Sequence, residues 1–525
     1  MNTRVQRRSL LKSGLGIAGA KLLSSASRVF AEIPGELAAS YSTHNRRWQA
    51  AYDKALEILA ANVQLLPRYE KPVLIEGSQY GGIWQECGPH ESLVYRHFRP
   101  DVARNSHLTF FALQRSDGQL PANNKRTETG FGQIQMVVPI AATAWELAAM
   151  TGDSELLEAA YQACSKWDAW LTRYRDTRGS GLTEGFCTYD TGMDNSPRWA
   201  GIPSRCPDAD ARRCPPVSTL PRLCPDLSAT VYGARVALAA MAAALGRNEA
   251  WHEQVERTRK LIVTRLYSPQ DASFYDLDAR GHFVKVRSDI LTRVCGEHVI
   301  DQKMFDEIWE RQLGNPRAFW ATLPFPSIAL DDPAFVRPIP HNSWGGASQV
   351  LTALRAGRWM DHYGRSAEFA HLMEQWCEAL QRDTQFRQQV DPLTGVFTDG
   401  DLPNYSPACL LMYDFTWRLA GVRQEFNELH WNIRPGKSVS ENAQFSLKTK
   451  SGIARMDYAD NGAKLQLSGR EVARVRGTAR LVGDNSGKPI ALVGVSMAPS
   501  DVELRLPGRP KQSYSLRPNQ RISVT

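Results

Sequence analysis

The chain has 525 residues, 42% of them hydrophobic and 22% charged, which is the profile of an ordinary globular protein large enough for more than one domain. Its formal net charge is +8, but the bases are dispersed among acids, so there is no global electrostatic case for a nucleic-acid partner. The body holds no clean apolar run long enough to span a bilayer, and no phosphate loop, dinucleotide fingerprint or G-x-S-x-G elbow.

The first element in chain order is an address. Residues 1–31 read MNTRVQRRSLLKSGLGIAGAKLLSSASRVFA. Arg7 and Arg8 precede Ser9-Leu10-Leu11-Lys12, a weakly apolar Gly/Ala/Leu stretch follows, and Val29-Phe30-Ala31 is a small-residue cleavage site. This segment resembles a twin-arginine export signal, which implies a periplasmic or secreted protein cut after Ala31. Arg4, Arg7, Arg8, Lys12, Lys21 and Arg28 all lie in it, so the chain beyond it carries only +2.

From about Ala38 to Gly421 the pattern is helical. Apolar residues recur at helical spacing in residues 46–66, 134–152, 154–174, 227–246, 249–267, 343–364 and 368–383. Gly152, Gly246 and Gly364 stand as C-terminal stops. Helix pairs return roughly every 50–60 residues, with connections longer than a compact bundle needs. A toroid of inner and outer helices, with long loops at one end around a central cavity, accounts for that spacing. A solenoid would need repeats that are self-similar in sequence, and these are not.

Three of the nine cysteines crowd the stretch SRCPDADARRCPPVSTLPRLCPD. Spacings of eight and ten without a nearby histidine fit zinc poorly. In an oxidising compartment a disulfide stapling the loop is expected instead, with Cys206–Cys214 as the favoured pair. His90, His97 and His341 have no metal-ligand spacing, and neither metal nor cofactor is expected. After Gly421 short alternating runs separated by Asp-Asn-Gly and Ser-Gly turns predict a β-sandwich. The expected division is residues 1–31 as signal, 32–425 as helical catalytic domain and 426–525 as β-sandwich.

The chemistry concentrates in Thr191–Trp199, TGMDNSPRW, between two helical segments. Asp, Asn, Ser and Pro are ordinary turn residues. The same loop could also supply one acid of a glycosidase, in which a protonated carboxyl donates to the leaving oxygen. A second carboxylate, about 6.5–9.5 Å away in an inverting enzyme, then activates water. Met193, Pro197 and Trp199 beside Asp194 would favour the protonated form that a general acid needs. Asn195 and Arg198 could bind sugar hydroxyls or fix the loop. Glu184, ten residues before Asp194, could be a second acid on the same rim or a solvated loop residue.

With these residues in place, the chain resembles the six-hairpin, (α/α)6-barrel glycosidases of glycoside hydrolase family 63 and the mannosylglycerate-hydrolase type, with trehalases more distant. TGMDNSPRW resembles their general-acid motif. GGIWQECGPHESLVYRHF, LQRSDGQLPANN, PDLSATVYGARVALAAMAAALG, DASFYDLDARGHF and IPHNSWGGASQVLTALRAGRWMDHYG follow in the family's order, from about Ile83 to Gly421. The resemblance implies a mainly α (α/α)6 toroid and an inverting, exo-acting hydrolase of an α-glucoside or α-mannoside. It makes Asp194 the general acid and puts Glu86 in the segment of a substrate-binding acid; Trp84, Asn195, Arg198, Trp344 and Tyr405 are the further candidates for binding the sugar, with Trp344 either a sugar platform or a core aromatic. The chain departs from the family at the second carboxylate. The family pattern is F-x-E-x-Y-x-P, whereas here VFTDGDLPNYSPACLLMYDFTW has no glutamate, and counting back from Tyr405 lands on Pro403. Asp399 and Asp401 are the candidate bases on a displaced loop, or turn caps. The alternatives are a polysaccharide lyase on the same toroid using Tyr405, His341 and Arg198, and a glycan-binding protein that kept Asp194 without a base.

Overall fold

A computed structural model describes residues 39–524 apart from 338, 340–342, 399 and 401. The export segment, His341, Asp399 and Asp401 therefore lie outside the described residues.

Twelve α-helices are found among the described residues, and they alternate between two rings. The outer helices are α1 (Arg46–Ala61), α3 (Pro100–Ala112), α5 (Ser154–Tyr174), α7 (Trp251–Leu266), α9 (Gln302–Ile308) and α11 (Ser366–Arg382). The inner helices are α2 (Gly88–Tyr95), α4 (Ile140–Thr151), α6 (Pro225–Ala244), α8 (Ile290–Gly296), α10 (Val350–Arg355) and α12 (Ser406–Ala420). Inner helices pack in the order α2, α4, α6, α8, the turn after α10, then α12, and α12 returns to α2. The ring therefore closes. This is the (α/α)6 arrangement.

Burial explains which ring each helix joins. α1 buries one stripe, Trp48, Ala51, Tyr52, Ala55, Ile58 and Leu59, and presents its other face to solvent. Every residue of α2, α8 and α10 is buried, so these helices have no polar face to show. α6 is apolar and long enough to cross a membrane by length alone, but most of it is buried inside the ring. Side-chain caps set the outer boundaries. Asn45 accepts the Trp48 N–H at 3.1 Å, Asp153 that of Leu156 at 2.9 Å, and Asp301 that of Met304 at 2.9 Å. Inner helices α2, α6 and α12 instead begin with proline in the first turn, where its missing N–H costs nothing. The predicted 343–364 helix is much shorter than expected, because its regular part is only α10 and the backbone then tightens into a 3₁₀ turn at Ala356–Arg358. The predicted 46–66 helix stops at Asn62, and Val63–Leu66 is a strand paired with Tyr69–Leu74.

Two antiparallel sheets follow the ring. Five strands, Val422–Gln424, Glu428–Ile433, Ala479–Asp484, Pro489–Val493 and Arg521–Ser523, form one. The other has seven, and its first strand comes from far upstream: Ala39–Ser42 pairs with Gln444–Thr449. The sheets and the ring share one hydrophobic core, with Trp417 of α12 edge-on to Phe445 at 5.2 Å. Short strand pairs stiffen the loops at one end of the ring. Among them, Glu184–Gly185, Arg222–Leu223, Asp276–Leu277 and Phe283–Val284 make a four-stranded sheet behind the TGMDNSPRW loop.

Candidate active site

The loop owes its shape to two left-handed residues. Gly192 has φ +60° and ends the turn Thr188–Thr191, and Asn195 has φ +59° just before the turn Pro197–Trp199. Asp194 stands between them, half-buried, with Asn195 exposed beside it. Short polar residues tolerate such backbone, and glycine adopts it freely.

Each end of the loop is fixed by a buried arginine. Before it, the fully buried Asp190 accepts Arg175 Nη1 at 2.5 Å and Nη2 at 3.1 Å, together with the N–H groups of Ile134 and Phe186 at 2.9 and 2.7 Å. After it, Arg198 donates to Asp226 through Nη1 and Nη2 at 2.8 and 3.0 Å, and to Asp276 through Nε and Nη2 at 2.9 and 2.6 Å. Trp199 Nε1 closes the loop onto Thr191 Oγ1 at 3.0 Å. Of the two roles open to Arg198, fixing the loop fits this geometry. It is buried with its fork filled by carboxylates, and its guanidinium is not offered to a ligand. Burial would lift Asp226, but Arg198 and Arg293 outweigh it and hold that carboxyl below its ordinary value.

Against the loop, beneath Gly192, lies a group of buried acids. Glu86 follows the half-buried Trp84 of the strand Gly82–Trp84. Its Oε2 lies so close to Gly192 that a Cβ there would overlap it, which is why the loop needs glycine at 192. That oxygen is buried and has no hydrogen-bond partner. Arg355 donates to the Glu86 carbonyl at 3.2 Å, and Arg293 to the Thr191 carbonyl at 2.5 Å. Burial pushes Glu86 up to about 7, opposed by Arg355 and Arg293 and reinforced by the charge of Asp194. Glu91, fully buried one helical turn further on, is likewise pushed up to about 7 by burial.

Glu76 joins this group without having carried any sequence motif. Its one signal was an acid closing the apolar strand run PVLIE. Its Oε1 accepts the Tyr405 hydroxyl at 2.7 Å. Burial, then the charges of Glu91 and Glu86, raise it well above the ordinary glutamate value. The Tyr405 hydrogen bond opposes that rise, and Asp194 adds to it. Tyr405 is itself fully buried, so its hydroxyl meets Glu76 and not an open surface. Tyr80 lies 5.6 Å from Trp84 and 5.9 Å from Tyr405, ring centre to ring centre. It also lines an open cavity of about 380 Å³ with Gly77, Arg126, Pro403 and Asn404. Thus the structure gathers Asp194, Glu86, Trp84 and Tyr405 around Glu76 and Tyr80. Trp344 is buried with its ring 5.4 Å from the Arg293 guanidinium, which makes it a support for that arginine.

Two expectations are corrected. Cys206 and Cys214 form no disulfide. All nine cysteines are free, and Cys206 Sγ instead lies 3.8 Å from Cys187 Sγ in a pocket with Phe186. Glu184 is no rim acid. It is fully buried and accepts Thr177 N, Thr177 Oγ1 and Arg178 Nε at 2.7–2.8 Å. Three groups among the described residues have metal-like donor spacing: Cys187/Asp190/Cys206, Cys224/Asp226/Asp276 and Glu76/Glu86/Cys87. In the first two the carboxylates are already taken by Arg175 and Arg198.

With this geometry in hand, residues 80–417 match the family model described as the mannosylglycerate hydrolase MGH1-like glycoside hydrolase domain. No curated protein matches the sequence. Among solved structures, the fold is similar to a glycoside hydrolase family 63 mannosylglycerate hydrolase from Thermus thermophilus, in complex with Tris and D-glycerate. The TM-score is 0.57 at 19% identity, over 69% of this chain and 100% of that one. It is also similar to a neutral trehalase from Saccharomyces cerevisiae, with TM-score 0.52 at 12% identity over 69% and 79% of the two chains. A family 78 rhamnosidase from a Bacillus species gives 0.54 at 12% identity, over 83% and 42%. At these identities the likeness is one of fold.

Proposed function

The chain belongs to the mannosylglycerate hydrolase MGH1-like glycoside hydrolase family, and from that premise we propose that it is an inverting, exo-acting hydrolase of an α-mannoside or α-glucoside in which Asp194 is the general acid. It is a glycoside hydrolase, and its substrate class is a carbohydrate. The observation that carries the finer reading is the placement of Asp194. A half-buried carboxyl stands on a short bulge whose two ends are fixed by buried Arg–Asp pairs and whose Gly192 lies against Glu86, an acid itself pushed towards protonation. A fixed carboxyl in reach of a glycosidic oxygen is what proton delivery requires. The sugar would lie against Trp84, with Glu86 and Asn195 as hydroxyl partners. The structures of the similar Thermus enzyme with D-glycerate and with glucose support an α-mannoside of a small acid, or an α-glucoside, as the first substrates to try.

A panel of α- and β-linked mannosides and glucosides, α-mannosylglycerate included, tests this. Turnover of an α-linked member, with the β-anomer as first product by NMR, is expected. First release of the α-anomer would replace this mechanism by retention, and an unsaturated product absorbing in the ultraviolet from a uronic-acid oligosaccharide assayed beside the panel would replace it by a lyase reaction.

Export is proposed on the sequence of residues 1–31. Changing Arg7 and Arg8 together to lysine should hold the precursor in the cytoplasm on fractionation. An undiminished periplasmic yield from that variant would remove the twin-arginine reading.

A further inference from the structure

Two of the nine free cysteines touch, and hydrolysis gives them nothing to do. Cys187 Sγ lies 3.8 Å from Cys206 Sγ, both are buried beside Phe186, and the half-buried Cys214 packs against the group. A zinc centre needs four ligands. The third donor of this group, Asp190, is already filled by Arg175 and by backbone N–H groups. What remains is two thiols facing each other.

Their place in the chain gives the contact a consequence. Cys187 caps the turn Thr188–Thr191 that leads into Gly192 and Asp194, and Cys206 opens the turn Pro207–Ala209. Residues 188–205 between them carry the whole acid loop. The two limbs of that loop run side by side at its base. The Thr188 N–H donates to the Pro203 carbonyl and the Tyr189 N–H to the Ser204 carbonyl, both at 3.1 Å. The Cys206 N–H is held by the Gly132 carbonyl, also at 3.1 Å. The loop thus hangs from a neck of two backbone bonds, with the sulfurs at its foot. Arg175, which grips Asp190 at the loop's entry, also donates through Nη2 to Cys206 Sγ at 3.6 Å. That puts a positive charge beside a sulfur that must give up its proton to react. Neither buried sulfur is open to a bulky oxidant, whereas Cys214 is partly exposed.

We propose that Cys187 and Cys206 join as a disulfide that seals the neck of the acid loop once the protein meets an oxidising compartment, with Cys214 as the thiol through which the oxidant enters. The compartment rests on the export reading of residues 1–31, and the bond rests on the neck itself. The oxidant is a small disulfide such as oxidised glutathione. The Cys214 sulfur bonds to one of its sulfurs, the S–S bond breaks, and one glutathione leaves as a thiol with the Cys214 proton. The Cys206 sulfur then bonds to Cys214 and releases the second glutathione, which takes the Cys206 proton. Last, the Cys187 sulfur attacks Cys206, the bond from Cys206 to Cys214 breaks, and Cys214 leaves as a thiol with the Cys187 proton. Two cysteine thiols have lost two electrons and two protons, and one disulfide of the oxidant has become two thiols.

Trypsin places the three cysteines on separate peptides, 179–198, 206–212 and 214–222, so mass spectrometry after alkylation reads the linkage directly. Two preparations are compared: protein recovered after export, and the full chain purified reduced and then treated with oxidised glutathione. Expected in both is a crosslink of 179–198 to 206–212, with 214–222 alkylated. Cys214→Ser should reach the same crosslink about tenfold more slowly, because the entry thiol is gone. Dithiothreitol should lower the thermal midpoint of the oxidised protein by about 3–6 °C and speed hydrogen exchange across residues 188–198. It should do neither in Cys206→Ser, whose starting midpoint shows whether that variant folds. A final crosslink of 206–212 to 214–222, or three alkylated peptides after glutathione, would overturn the bond. So would three alkylated peptides in the exported protein, or a midpoint and loop exchange that dithiothreitol leaves unmoved. A chain that is never exported but still gives the expected crosslink with glutathione would remove the export reading and uphold the bond.

Discussion

Replacing Asp194 by asparagine is expected to remove about 10²–10⁴-fold of kcat on a natural glycoside. The amide keeps the volume and hydrogen-bonding reach of the acid but has no acidic proton to give. The two arginine anchors lie outside the substituted position, so fold and ligand binding should survive. The loss should shrink on an aryl glycoside whose leaving group departs without protonation. That dependence on the leaving group separates an acid from a residue that merely binds. Parallel measurements of kcat and KM on the two substrates, with ligand binding by calorimetry, check it. Near-normal turnover of the natural glycoside by Asp194→Asn would make Thr191–Trp199 a turn and nothing more.

The second large effect is expected at Arg198, which should be indispensable without touching substrate. Its alanine variant would leave Asp226 and Asp276 buried and facing each other, with only Arg293, 3.4 Å from Asp226, as partial compensation. Removing one partner of a buried ion pair costs about 3–5 kcal/mol. Lysine should rescue little, since one ammonium cannot fill the fork that spans two carboxylates. Urea unfolding should show a lower midpoint, and activity should fall with it because the Asp194 loop loses its C-terminal anchor. Acid should mimic the lesion in the wild type. Asp226 is held below its ordinary value of 3.8 in the folded protein, so its contribution is complete above that pH and is lost as pH falls through the depressed value. A stability within about 1 kcal/mol of wild type for Arg198→Ala would contradict the anchoring role.

Four outer helices were legible, as were the inner α4 and α6, while the outer α3 and α9 were not. α1, α5, α7 and α11 bury one stripe each, and a stripe is what hydrophobic periodicity detects. α2 and α8 were not legible as helices. They are eight and seven residues long and buried on all sides, so no period distinguishes them from a strand or a loop. In the site, the acid loop was visible because Gly192 and Pro197 frame Asp194 within nine residues. The anchors of that loop were not. Arg198 meets Asp226 and Asp276 across 28 and 78 positions, and only the closed ring brings them together. Glu76 was hidden for the same reason, since its partner Tyr405 is 329 residues away.

The pairing of Ala39–Ser42 with Gln444–Thr449 also sets a timetable for synthesis. Tyr41 bonds the Val439 carbonyl across 398 residues, and its ring packs on Phe445. At about 5–20 residues per second a ribosome would deliver the two halves of that pairing roughly 20–80 s apart. Throughout that interval the upstream strand has an open edge, whereas Trp417, made only 28 residues before Phe445, waits roughly 1–6 s for the ring that covers it. A nascent chain halted at Gly421 would therefore hold all twelve described helices of the closed ring without the β layer that covers the Trp417 face of their core.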